Sequence, residues 1–183
     1  MLAALASKTG TVGFIGGMDI PLIRKFGCGY AQGVKAVKAD ATIIQNMTGD
    51  TGAAWNDPVK GGEITKGQMA QGADVIYAAA GATGLGVLQA AADGGALSIG
   101  VDANQNYLYP GKVLTSMLKR VDVAVYNVME SGKSGTFKPG IQALGLAEDG
   151  VGYAMDDNNK PLITPEMQAA VDKAKADIIA GTI

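Results

Sequence analysis

One pattern constrains this chain more than any other. Short apolar runs alternate with stretches whose apolar residues recur every three or four positions, and glycine or a polar turn separates each from the next. TVGFIGG (11–17) reads as a buried strand. A helix follows with Pro21 near its start and Leu22, Phe26, Tyr30, Val34 and Val37 at helical spacing. ATIIQ (41–45) is the next strand, NMTGDTGAAWNDP (46–58) a polar loop, and 60–71 a helix stopped by Gly72. DVIYAAAG (74–81) is a third strand, GATGLG (81–86) a loop, and VLQAAAD (87–93) a helix ended by Gly94 and Gly95. ALSIGVD (96–102) is a fourth strand. Such alternation builds βαβ units, so the expected fold is α/β: a doubly wound parallel sheet with helices on both faces.

The flanks are read in the same way. In the opening MLAALA, Leu2, Leu5 and Ala6 share one face of a helix end that Gly10 closes. From Val113 a strand (113–118) runs into a helix with Val121, Val125, Val128 and Met129 on one side. GKSGTFKPG (132–140) is a turn-rich linker, and 141–157 is expected to hold two short strands. The last helix has Thr164 as N-cap and Pro165 at its first position, a buried stripe of Met167, Val171, Ala174 and Ile178, and Gly181 at its end.

Composition removes several function classes. With 15 basic and 17 acidic side chains the chain has no long-range field for nucleic acid or an anionic membrane. Histidine is absent, which excludes imidazole triads and the common zinc sites. A single cysteine cannot form an internal disulfide, and Cys28, between glycines on a helix, is expected to be packing rather than a reactive thiol. Asp19, Asp50, Asp57 and Glu63 are too scattered to suggest a metal site. The opening lacks a basic n-region and a long apolar core, and no run reaches the ~20 apolar residues of a membrane span. As it stands the chain is expected to be soluble and cytoplasmic. The 27 glycines, about twice the usual ~7%, mark turns and close approaches of backbone to something else.

Ligands of open α/β sheets sit beyond the carboxyl ends of the strands, which selects the loops 16–20, 46–58, 81–86 and 102–107. Asp102 lies at a strand tip 21 residues after Gly81, the relation that places a carboxylate on ribose hydroxyls in dinucleotide folds. The loop spacing is G-x-x-G-x-G, however, and it joins the third and fourth strands, which argues against a dinucleotide site. A sugar-hydroxyl acceptor and a turn or N-cap aspartate both stay open for Asp102. Trp55, the only tryptophan, sits in a polar loop at the same edge, either to stack on a flat ligand or to anchor its loop. Lys119 follows an apolar strand and by itself reads as a solvated helix-start lysine. GKSGT around Lys133 is not a phosphate loop, because Asn127 stands where the first glycine is needed.

Taken together, VGFIGGMDIPLIRKFGCGYAQGVKA, WNDPVKG, GADVIYAAAGATGLGVLQAA, IGVDANQ and VLTSMLKRVDVAVY resemble the basic membrane protein family of ABC-transporter substrate-binding lipoproteins, whose best understood branch is the purine-nucleoside receptors. The resemblance runs through nearly the whole chain. It implies one lobe of a type I periplasmic-binding-protein fold, binding without turnover, no cofactor, a nucleoside ligand and a membrane permease as partner. It also implies four ligand contacts: Trp55 toward the base, Gly81 giving close backbone approach, Asp102 on the ribose hydroxyls, and Lys119 on the ribose or the Asp102 carboxylate. Full-length members are exported and lipid-anchored and have two lobes. The resemblance implies that Met1 matches an internal methionine, so the chain is expected to correspond to the second lobe: 1–107 its main part, 108–133 a segment that crosses to the first lobe, and 134–183 the return with the C-terminal helix. Without a partner, the stripe at Val121, Val125, Val128 and Met129 is expected to be exposed or buried in a homo-oligomer through 113–129. Two other readings remain: a nucleotide-dependent α/β enzyme using GATGLG and Asp102, and a self-associating structural domain.

Overall fold

The computed structural model describes residues 1–183. Six strands, β1 (Thr11–Met18), β2 (Thr42–Gly49), β3 (Val75–Ala79), β4 (Leu97–Asp102), β5 (Val113–Lys119) and β6 (Val151–Tyr153), form one sheet in the order β2-β1-β3-β4-β5-β6. The first five are parallel, and β6 closes the far edge antiparallel to β5. The helices are α1 (Leu2–Ala6), α2 (Pro21–Val37), α3 (Pro58–Ala70), α4 (Thr83–Asp93), α5 (Val121–Lys133) and α6 (Pro165–Ala180). This is the doubly wound α/β architecture expected from the alternation.

Strand periodicity divides the core into two layers. Val12 and Phe14 of β1, Val75 and Tyr77 of β3, Ile99 of β4 and Leu114 of β5 pack under α1, α2 and α6. Ile15, Ile76 and Ala78 point the other way and meet Val87 and Ala91 of α4. All five residues of β3 are buried, as a central parallel strand covered on both faces requires. On the α3–α4 side the two helices approach through glycine. A Cβ on Gly86 would overlap the Pro58 carbonyl, and one on Gly61 would overlap the Thr83 carbonyl.

Several boundaries differ from expectation. β2 runs four residues past Gln45, because parallel pairing to β1 continues through Ile15↔Asn46, Gly16↔Met47 and Met18↔Gly49. Its polar residues are tolerated at the sheet edge and find partners: Asn46 Oδ1 accepts from Gln68 Nε2 at 2.8 Å, and the buried Thr48 hydroxyl bonds the Gly17 and Ala54 carbonyls. α3 begins at Pro58, since the Asp57 carboxylate caps it by accepting from the Lys60 amide at 3.0 Å. α4 begins at Thr83, which reduces the GATGLG loop to three residues after β3. Only one strand forms in 141–157.

Cys28 is exposed rather than buried. The inward stripe of α2 is Ile23, Gly27, Tyr30 and Val34, which turns Cys28 and Leu22 outward. α1 ends at Ala6, and Gly10 serves instead at a positive φ of 76° in the following turn. That turn wraps Asp74, whose carboxylate accepts from the Ser7 hydroxyl and the Lys8 and Thr9 amides. In α6 the Thr164 cap, Pro165 and the left-handed Gly181 stand as expected, and Met167 is buried. Ile178 is half exposed, however, because α6 runs on beyond the apolar layer that buries Met167. No residue of α5 is buried; Val121, Val125, Val128 and Met129 are all exposed.

Candidate functional site

β1 is flanked by β2 on one side and β3 on the other, so the connections leaving this point wind outward in opposite directions. Such a switch opens a crevice at the carboxyl ends of the central strands. Gly17 of β1 and Gly81, just after β3, border it, and the loop between β2 and α3 folds over it. Trp55 is the last residue of a short 3₁₀ turn in that loop. Its ring lies on Gly17, where an added Cβ would overlap the six-membered ring. Gly81 has φ +58°, and a Cβ there would sit 3.1 Å from the Trp55 carbonyl oxygen. Thr83 ties the loop down: its hydroxyl donates to the Ala54 carbonyl at 2.8 Å and accepts from the Asp57 amide at 2.7 Å. Trp55 therefore does anchor its loop, half-buried against the sheet, and it does so at the crevice.

Asp102 and Lys119 end neighbouring strands β4 and β5, where Asp102 pairs with Leu118 in the ladder. Lys119 Nζ lies 2.9 Å from Asp102 Oδ1, and both side chains are about half exposed, 52% and 48%. An ion pair this open contributes little to stability, about 0–1 kcal/mol, so its value is positional. It holds a carboxylate and an ammonium at the rim, able to accept from and donate to hydroxyls of a polar ligand. Asp102 itself adopts φ +68°, a left-handed conformation uncommon outside glycine.

Two cavities flank this rim. One of about 480 Å³, between α2 and β2, is lined in part by Asp19, Arg24, Cys28, Gln45 and Asn46; Arg24 grips Asp19 through two bonds of 2.7 and 2.9 Å. The other, about 510 Å³, is an apolar groove between α2 and the β5–β6 edge, lined in part by Phe26, Tyr77, Ile99, Met117 and Tyr153. Tyr30 and Tyr77 also line it, with hydroxyls that are buried without a hydrogen-bond partner; burial pushes both well above the usual tyrosine range. Trp55, Gly81, Asp102 and Lys119 lie outside both cavities, on the open rim. No group of three or more Cys, Asp or Glu side chains is placed to hold a metal ion. GKSGT falls at the C-terminal end of α5, with no strand feeding it, which is the wrong end of a helix for a phosphate.

The structure thus brings Gly81 to Trp55 and Lys119 to Asp102. It adds Gly17, Thr48 and Thr83, which composition and spacing do not single out. All three lie in the strand-tip loops 16–20, 46–58 and 81–86, a signal that selects the loops without singling out a residue in them.

The family model Bmp, described as ABC transporter substrate-binding protein PnrA-like, matches residues 1–183. The chain belongs to this family. Among its relatives, the ABC transporter nucleoside-binding protein BmpA of Lactococcus lactis subsp. cremoris is 36% identical, over 99% of this chain and 54% of the relative. Basic membrane protein D of Borreliella burgdorferi is 35% identical, over 86% of this chain and 46% of the relative. A crystal structure of ABC transporter system solute-binding proteins from Aeropyrum pernix K1 superposes with a TM-score of 0.83 at 26% identity, covering all of this chain and 62% of that one. The chain spans about half the length of the curated relatives it matches. The family description, the Lactococcus relative and the Aeropyrum structure are named as binding proteins. No helix of the chain is long and apolar enough to cross a membrane.

Proposed function

We propose that this chain is a nucleoside-binding lobe of an ABC-transporter receptor, holding a purine nucleoside at the carboxyl rim without turnover and contributing to its delivery to a membrane permease. The observation that carries the reading is the Asp102–Lys119 pair, set beside the crevice where Trp55 lies on Gly17. β1 and β4 are separated by one strand, so their ends are about 10 Å apart at the usual ~4.8 Å spacing. That span suits a ligand with a flat apolar end near Trp55 and a polyhydroxylated end at Asp102. In this reading Trp55 offers its ring to the base, Gly81 lets backbone approach the ligand, Asp102 accepts from ribose hydroxyls, and Lys119 orients Asp102 or donates to the ribose. The nucleoside named for the Lactococcus relative supports the ligand class. The exported, lipid-anchored location of full-length family members is part of the same reading.

The test is titration of the chain with adenosine, guanosine, inosine and NAD, followed by calorimetry and by NMR shifts. A rim that covers one side of a ligand should bind weakly, favour ribonucleosides over their 2′,3′-dideoxy forms, and lose that preference in Asp102→Ala. Selective NAD binding would return the chain to a nucleotide-dependent enzyme.

A second reading concerns α5. Its stripe of Val121, Val125, Val128 and Met129 is exposed and the helix buries nothing. β5, the first part of the 108–133 segment, is a buried strand of this sheet, so the crossing segment narrows to α5. We infer that α5 is an interface element, serving in the longer relatives to pack on the other half of the molecule and in this chain to pair with a second copy.

A further inference from the structure

Asp102 adopts a conformation unfavourable for a residue other than glycine, beside a polar network that reaches residues far from it in sequence. Its φ of +68° sits at the centre of a three-residue turn closed by the Ala103 amide donating to the Val101 carbonyl at 2.9 Å. Around that turn nearly every polar group is engaged. The Val101 amide donates to Gln105 Oε1 at 2.9 Å, and the Gln105 amide donates to Ser116 Oγ at 2.9 Å. Ser116 Oγ donates in turn to Asn106 Oδ1, also at 2.9 Å, and Asn106 Nδ2 donates to Asp156 Oδ2 at 3.2 Å. Asn104 Nδ2 reaches the same oxygen at 2.7 Å, while Asp156 Oδ1 accepts from the Asn158 amide at 2.7 Å. Asn106 and Ser116 are wholly buried. Gly100 makes room for the network, since a Cβ there would fall 2.7 Å from Gln105 Oε1 and 2.8 Å from Ser116 Oγ.

We propose that Gln105, Asn106, Ser116 and Asp156 form a brace that locks Asp102 in its left-handed turn and so aims its carboxylate along the rim, making Asn106 and Asp156 positioning residues for the ligand. A fully satisfied buried network specifies one geometry, and a strained residue persists only where its surroundings over-determine it. The brace joins the β4 loop to the stretch after β6, so the return of the chain at 150–160 sets the shape of the rim. The ligand half of this proposal rests on the nucleoside reading above; the conformational half does not.

Asn106 is too buried for a clean first variant, so the test uses Asp156→Ala at the half-exposed end of the brace, with Asp102→Gly and the double variant. Glycine tolerates the left-handed turn, so Asp102→Gly should raise the unfolding midpoint of the otherwise natural chain by about 2 °C. In the Asp156→Ala background, where the turn is free to relax, that gain should disappear. An equal gain in both backgrounds overturns the brace. NMR titration gives the second arm: Asp156→Ala should weaken a ribonucleoside about fivefold and leave its 2′,3′-dideoxy analogue unchanged, whereas equal weakening of both overturns positioning through Asp102. If the midpoints couple but the natural chain shifts with no nucleoside, the brace stands and the nucleoside reading falls.

Discussion

Gly17 shows how a single missing side chain places a functional one. The Trp55 ring occupies the volume a Cβ would take, so Gly17→Ala must push the indole off the sheet or shift β1. We expect a loss of about 1–3 kcal/mol and, because Trp55 is the only tryptophan, a red-shifted emission that reports its added exposure. Unchanged emission would mean that the ring does not rest there. Asp156 offers a pH test at the same scale. Its carboxyl is held below the ordinary 3.8, first by the Asn104 amide and also by the Asn158 amide and Asn106. A carboxyl lowered in the fold contributes stability above its unfolded value and loses it as pH falls through the folded one. Below about pH 4, therefore, the natural chain should lose stability more steeply than Asp156→Ala. Parallel acid limbs in denaturant titrations would refute this.

Among the elements, the α3–α4 pair separates two uses of glycine. Gly86 faces the Pro58 carbonyl at the helix–helix contact, whereas a Cβ at the exposed Gly67 of α3 meets nothing within 4 Å. Gly86→Ala should destabilise by about 2–3 kcal/mol, since backbone must move to admit it. Gly67→Ala should stabilise by about 0.5–1 kcal/mol, by removing helix-interior backbone entropy from the unfolded chain. Thermal unfolding of the two variants checks both signs. The strands show why their boundaries were harder to read than their existence. The apolar cores of β1, β3 and β4 are visible as runs, but β2 extends through NMTG because β1 offers a ladder there, and ladder pairing leaves no mark in the composition of an edge strand. In 141–157 the opposite happens: of two expected strands only Val151–Tyr153 finds a partner, at the free edge of β5.

For the molecule as a whole, the open question of assembly falls to α5. Replacing Val125 and Met129 by Glu and Lys should lower any self-association measured by analytical ultracentrifugation and leave the unfolding free energy within about 0.5 kcal/mol, since both side chains are exposed. The runs need reductant, because the exposed Cys28 can cross-link copies by itself. A variant that associates as the natural chain does would remove α5 from the interface.

Local pattern by itself determined the class of this protein. Short continuous apolar runs and period-3.6 stretches separated by glycine leave a parallel, doubly wound sheet as the economical way to bury both faces, and the strand tips then name the rim and Asp102 on it. The family resemblance added Gly81 and Lys119. What tertiary structure alone decided is who meets whom along that rim. Lys119 reaches Asp102 because β5 lies beside β4, Trp55 lies on Gly17 because the β2–α3 loop folds back over β1, and Asp102 takes its left-handed turn among side chains drawn from β5 and from beyond β6. Those are contacts between residues from 10 to 50 positions apart in the chain. Sequence spacing carries no information about them until the sheet order is known.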